Sequence, residues 1–233
     1  MGKSLIQQRR GRGTHPFKSP SHRFWGEVKF PQETGEGKVM DIIHCAGHSA
    51  PLLQIAFAQG RNEMAFAPEG VKVGDTVAVG TQETSLGNVL ALRDIPEGTL
   101  VHNIELHPGD GGRFARASGT FARVVAKTEK EVRVQLPSRK EKSFLPECRA
   151  AIGTLAGAGR LEKPFLKAGT RMKKMQARNK IYPIVCGVSM NAVNHPFGGK
   201  SSKVKGRPTQ APRSAPPGRK VGKIAPRRTG RRR

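Results

Sequence analysis

The chain has 233 residues, with 42 Lys plus Arg against 17 Asp plus Glu and a formal net charge of +25. Hydrophobic residues are 36% of it, enough for a core in part of the chain, yet no run approaches the ~18 apolar residues of a membrane-spanning helix. Met1 to Thr14 lacks the apolar stretch of a secretory signal, and the sparse cysteines Cys45, Cys148 and Cys186 argue for reduced thiols in a cytosolic setting.

The charge is segregated. Residues 1–30 hold seven Lys/Arg and one Glu, residues 31–165 hold 16 basic and 16 acidic residues, and residues 166–233 hold 19 basic residues and no acid. A segment with that surplus repels itself and calls for a dense polyanion. Nucleic acid fits best, because each neutralised phosphate releases a condensed counterion. A membrane surface fits less well, since no basic amphipathic helix with large apolar residues is visible. A plain solubilising or import tail is the bland alternative.

In chain order, residues 1–35 read as an irregular basic extension. Arg9, Arg10 and Arg12 lie in an Arg/Gly tract, and Pro16, Pro20 and Pro31 break any helix. Interleaved rings at Phe17, Phe24, Trp25 and Phe30 suit stacking on unpaired RNA bases. For Trp25 and Phe30, folding back onto the core is the stronger expectation.

Residues 36–165 read as β-rich. Apolar runs occur at Val39–Ile43 and Leu52–Ala58, and apolar residues at odd positions run from Val71 to Val79 across Gly74-Asp75. Phe121 to Ala126 supplies a further strand, and Val132, Val134 and Leu136 alternate with polar neighbours. Turn residues recur at Gln59-Gly60, Glu69-Gly70, Gly87-Asn88, Pro96-Glu97-Gly98 and Gly109 to Gly112. Many short strands with regular turns predict small barrels, two rather than one over this length.

Residues 166–200 predict loop with one basic helix, Arg171–Arg178, capped by Thr170. Arg171, Lys174 and Arg178 would share a face, with no carboxylate to balance them. Residues 200–233, with 13 Lys/Arg and five Pro, predict a tail that orders only against an anion.

Chemical motifs are sparse. His44, Cys45 and His48 lack a second ligand pair at zinc-finger spacing and read as turn residues. Cys148 has no neighbouring base and reads as a buried apolar thiol. No GxSxG, HExxH, dinucleotide or P-loop pattern is present, so no catalytic and no metal-binding residue is assigned. The stretch Gly187 to Lys200 is low in charge within a basic region, with Pro196 and Gly198-Gly199 forming a tight loop around His195.

Asn103-Ile104-Glu105-Leu106-His107-Pro108-Gly109, Gly111-Gly112, Arg116-Ala117-Ser118-Gly119-Thr120, Leu136-Pro137-Ser138, Cys148 to Gly153 and the loop Met190 to Gly199 resemble the universal large-subunit ribosomal protein two family, in its archaeal and eukaryotic branch and more archaeal than eukaryotic. The matches run in order from about residue 10 to residue 200. The resemblance implies a mainly β fold: an oligonucleotide-binding-type barrel (36–82), an SH3-like barrel (83–165), and extended basic arms at 1–35 and 166–233. It implies binding of large-subunit rRNA, help in subunit association, tRNA placement and support of the peptidyl transferase region. His195 matches a family histidine, but Asn194 and Phe197 replace the acid and the second histidine of the family pattern. That substitution favours hydrogen bonding to rRNA over acid–base chemistry.

The residues expected to meet rRNA are Arg9, Arg10, Arg12, His15, Arg23, Arg113, Arg116, Lys167, Arg171, Lys173, Lys174 and Arg178. Asn191, His195, Gly198, Gly199, Lys200, Lys203, Lys205 and Arg207 complete the set. The chain is expected to be no enzyme, to act in the cytoplasm within the ribosome as a single copy, and to touch neighbouring ribosomal proteins and a bridge to the small subunit. No cofactor is expected beyond RNA-associated magnesium, and no membrane. The alternative is a DNA-packaging or other nucleic-acid-binding protein.

Overall fold

The structure, a computed structural model, describes residues 2–32, 34–57, 60, 62–199 and 209–227. Ser21–Phe165 form one compact unit, and Met1–Pro20 with Leu166–Arg233 form another.

The 21–165 unit is a ten-stranded sheet. Its strands are β1 (Gly35–Ile43), β2 (Leu52–Phe57), β3 (Asn62–Phe66), β4 (Thr76–Val79), β5 (Val89–Ala91), β6 (Leu100–His102), β7 (Ala122–Lys127), β8 (Val132–Gln135), β9 (Glu141–Phe144) and β10 (Arg149–Ile152). The order is β3-β2-β1-β4-β5-β10-β6-β7-β8-β9. Neighbours pair antiparallel except β4 and β5, which meet in parallel through Val79 and Val89. The fold is thus mainly β, as expected, and the two halves of the sheet meet where β4 pairs with β5.

Each half has its own apolar filling. Val39, Leu53, Ile55, Ala67 and Val77 pack in the first. Leu90, Ile95, Val101, Ile104, Val124, Val132, Val134 and Phe144 pack in the second. Phe30, Val79, Val89 and Ala151 cluster where the halves join. The alternation read from Val132 to Gln135 appears as strict buried–exposed alternation along β8. Bulges between Val39 and Asp41 and between Val124 and Ala126 turn Met40 and Val125 outward.

Two expectations are corrected here. Only Thr76–Val79 of the Val71–Val79 run is strand, because Asp75 accepts the Lys72 N–H at 2.8 Å and closes a turn. Phe30 is buried as expected (5% exposed), but Trp25 is 62% exposed. Phe24, not Trp25, packs against the Val28, Cys45, Leu52 and Phe66 cluster. Ala58 and Gln59 lie outside the described residues.

The other unit holds α1 (Ile6–Arg9), α2 (Ala168–Ala177) and short 3-10 turns at His15–Phe17 and Gly187–Ser189. A two-residue parallel pair joins β11 (Gln210–Ala211) to β12 (Lys223–Ile224). α2 starts earlier than expected: Ala168 extends it backwards, Lys167 is its N-cap without a side-chain bond, and Thr170 lies inside the first turn. Residues 1–35 were expected to be irregular, and residues 200–233 to order only against an anion. Instead the Lys3 N–H donates to Val193 O at 2.8 Å, and Leu5, Ala211, Ala215 and Val221 are buried. The physical reason is that the two ends supply each other's partners, which composition of either end alone does not reveal. The expected contacts at Lys200, Lys203, Lys205 and Arg207 lie outside the described residues.

Candidate nucleic-acid interface

The arm unit carries five Lys/Arg in residues 1–20 and 19 in residues 166–233, with no Asp or Glu in either span. The 21–165 unit carries the ion pairs Lys29–Glu27, Arg93–Asp94, Arg113–Asp110 and Arg149–Glu105. α2 has no acid in its first turn and no buried residue. With no Asp or Glu side chain in its sequence, this unit favours an external anion.

Two clefts gather the expected residues. One of about 840 Å³ is lined by Arg9 and Arg10 from the end of α1, by Met190, Asn191 and His195 from the loop, and by Val221. A second is lined by Arg10, Arg171 and Arg178 with Phe17 and Tyr182. The Arg171 guanidinium lies 5.5 Å from the Tyr182 ring centre. Lys167 and Lys173 are exposed on α2, while Lys174 and Arg178 are half-buried. Arg12 and His15 are exposed.

Sequence reading missed Asn179. It follows the α2 C-cap with φ +51, and its side-chain amide donates to Lys18 O at 2.8 Å and to His15 O. An Asn just past a helix end is a known left-handed terminator, so the Arg178-Asn179 pair held the signal.

The 187–199 loop is built by its own backbone. Asn191 O accepts the Asn194 and His195 N–H groups at 2.9 and 3.1 Å, and Met190 O accepts the Gly199 N–H at 3.1 Å. Gly198 is buried, and a Cβ there would overlap the Met190 and Asn191 carbonyl oxygens. His195 Nδ1 accepts the Phe197 N–H at 3.0 Å, and the two rings are 5.2 Å apart. That bond makes Nε2 the protonated, donating nitrogen.

Arg23, Arg113 and Arg116 belong to the 21–165 unit. Arg23 is exposed. Arg113 is exposed, with Nε 3.8 Å from Asp110. Arg116 faces inward: it donates to Gly112 O at 2.7 Å and Val28 O at 2.9 Å, and lies 5.0 Å from the Phe66 ring centre. Its guanidinium ties the extension at Val28 to the 103–120 segment.

That segment is tightly wired. Partial burial pushes Asp110 up, but N–H bonds from Gly112, Leu106 and His107, then the Arg113 charge, hold its carboxyl below the usual value. Burial lowers His48, helped by the Arg116 charge; its Nδ1 is 3.2 Å from the buried Cys45 Sγ. Burial raises the Cys148 thiol, in keeping with an inert buried cysteine. Among the described residues, no three His, Cys, Asp or Glu side chains group as metal ligands.

Residues 85–216 match the family described as Ribosomal Proteins L2, C-terminal domain. The chain is 47% identical, over the full length of both, to the large ribosomal subunit protein uL2 of Methanococcoides burtonii. It is 48% identical to the protein of the same name from Haloquadratum walsbyi, covering 99% of this chain and 97% of that one. It is 48% identical to that of Archaeoglobus fulgidus over the full length of both.

Proposed function

The chain belongs to the large ribosomal subunit protein uL2 family, of archaeal type, and from that membership we propose that it is a structural, non-catalytic, rRNA-binding component of the large subunit in the cytoplasm. The observation that carries the rRNA-binding reading is the arm unit without a single Asp or Glu. In this reading residues 36–82 and 83–165 are the two barrels that give a rigid body, and the arms neutralise phosphate where RNA helices crowd. Arg groups grip phosphate bidentately and Lys acts as a mobile point charge.

The residues proposed to meet phosphate are Arg9, Arg10, Arg12, Arg23, Arg113, Lys167, Arg171, Lys173, Lys174 and Arg178, with the cations between 200 and 207. His15, Asn191 and the Gly198-Gly199 backbone follow the same surface. Arg116 acts by holding the 103–120 segment in place. His195 donates from Nε2 to RNA; without an acid at position 194 it has no carboxylate to support proton transfer. Subunit association, contact with neighbouring proteins, tRNA placement and support of the peptidyl transferase region follow from the same family membership. RNA-associated magnesium shares the work of neutralisation.

The test is retention on large subunits through a high-salt wash, alongside affinity for large-subunit rRNA and duplex DNA at matched salt. Retention and preference for the rRNA are expected. Equal affinity for the two nucleic acids would overturn the reading in favour of a general packaging protein.

A further inference from the structure

The cleft between α1 and the 187–199 loop has a different character from the rest of the arm surface. Its inner wall carries Leu5, Ile6 and Met190, and Leu5 is buried. Phosphate contacts need exposed cations and no apolar wall, so backbone binding alone leaves this wall unexplained. Its volume, about 840 Å³, falls in the range of pockets that enclose a small organic group.

Three further observations narrow the occupant. The His195 and Phe197 side chains both line the cleft, their ring centres 5.2 Å apart and their planes inclined at 60°. Arg9 and Arg10 stand at the same cleft, in a unit with no acidic side chain. Asn191 and Asn194 add amides able both to donate and to accept. Apolar wall, aromatic rings, amides and cations together match a planar heterocycle joined to a phosphate. An acidic peptide would use the cations but not the apolar and aromatic lining. A duplex keeps its bases stacked away from such a slot.

We infer that this cleft binds one unpaired nucleotide of RNA, its base extruded against the His195–Phe197 and Leu5–Met190 walls and its phosphate held by Arg9 and Arg10. This rests on the rRNA-binding reading above and adds a site to it. The backbone bond from Lys3 to Val193 ties the segment leading into α1 to the loop. Selection comes from extrusion: only a nucleotide already out of a helix can enter without breaking a pair.

The first experiment uses the full chain with labelled methyl groups at Leu5, Ile6, Met190 and Val221, titrated with adenosine and uridine 5′-monophosphates. Saturable shifts at these methyls, with affinity on the order of millimolar, are expected for so small a ligand. No shift at any of them, or shifts produced equally by inorganic phosphate, overturns the inference. The second probes base reactivity in large subunits carrying the wild-type chain or Ser189→Trp, which fills the cleft mouth. One unpaired base is expected to be protected by the wild type and at least ten-fold more reactive with the variant. If the wild-type chain is retained on subunits and no base differs, the cleft fails and the rRNA reading stands. If the wild-type chain is not retained, the rRNA reading itself fails.

Discussion

Glu105 is fully buried, and its carboxylate receives the Arg149 guanidinium at 3.0 Å and the Arg149 backbone N–H at 2.8 Å. It also accepts the Gly111 N–H at 3.2 Å, while Arg149 Nη1 donates to Pro31 O at 2.5 Å. One ion pair thereby joins the extension, the 103–112 loop and the start of β10.

Removing one partner of such a pair leaves the other without its counter-charge. Glu105→Ala is therefore expected to lower stability by about 3–5 kcal/mol. Urea unfolding of the full chain measures it. A loss below about 1 kcal/mol would mean that water replaces the carboxylate freely.

Gly112 has φ +95, and a Cβ there would overlap the side chain of Asn103, itself at φ +48. Gly112→Ala combines left-handed strain with a steric clash. It is expected to cost about 3 kcal/mol, read from the same urea midpoints. Gly109→Ala has no neighbour within contact and should cost about 1–2 kcal/mol, from its positive φ alone.

His102 is buried, with Nδ1 3.0 Å from Gly153 O, and burial lowers its pKa to about 4 against an ordinary 6.5. The unfolded chain then binds the proton more readily than the folded one. The stability linked to this residue is fully present above pH 6.5 and is lost as pH falls towards 4, by about 3 kcal/mol in all. His102→Gln should flatten that part of the stability–pH curve. Loss of stability only below pH 4 would instead point to carboxylates such as Asp110.

Arg116 and Arg113 should separate by readout. Arg116→Ala removes donors to Gly112 O and Val28 O and is expected to cost about 2–3 kcal/mol of stability. Arg113→Gln should leave stability within about 0.5 kcal/mol and reduce the log–log salt slope of rRNA binding by about 1. Replacing Arg9, Arg10 and Arg12 together by Gln should reduce that slope by about 2–3. An unchanged slope would remove these three from the phosphate contacts.

A truncation tests the arms. Deleting residues 200–233 should leave the β body folded, by its near-ultraviolet dichroism, and impair incorporation into large subunits. Normal incorporation would contradict the role given to that arm.

The β character was legible wherever strands obey alternation. Val132 to Gln135 has one face to the core and one to water, and hydrophobicity follows directly. Strands of three residues, such as β5 and β6, are too short to show a period. Arg116 was unreadable because an arginine's letter is the same whether it meets phosphate or a carbonyl inside the fold. Trp25 was misjudged since ring size favours burial, while the neighbouring Phe24 takes the place in the core. The pairing of the two arms was invisible because Lys3 and Val193 stand at opposite ends of the sequence and neither segment carries an amphipathic period.

The bond between Lys3 and Val193 also sets an order in time. Translation makes residue 3 first and its partner only after most of the chain has been polymerised. Through that interval the leading Arg/Gly tract has no mate, and any product arrested before the loop is made leaves it so. A nascent chain can thus close this pairing only after the loop has been made.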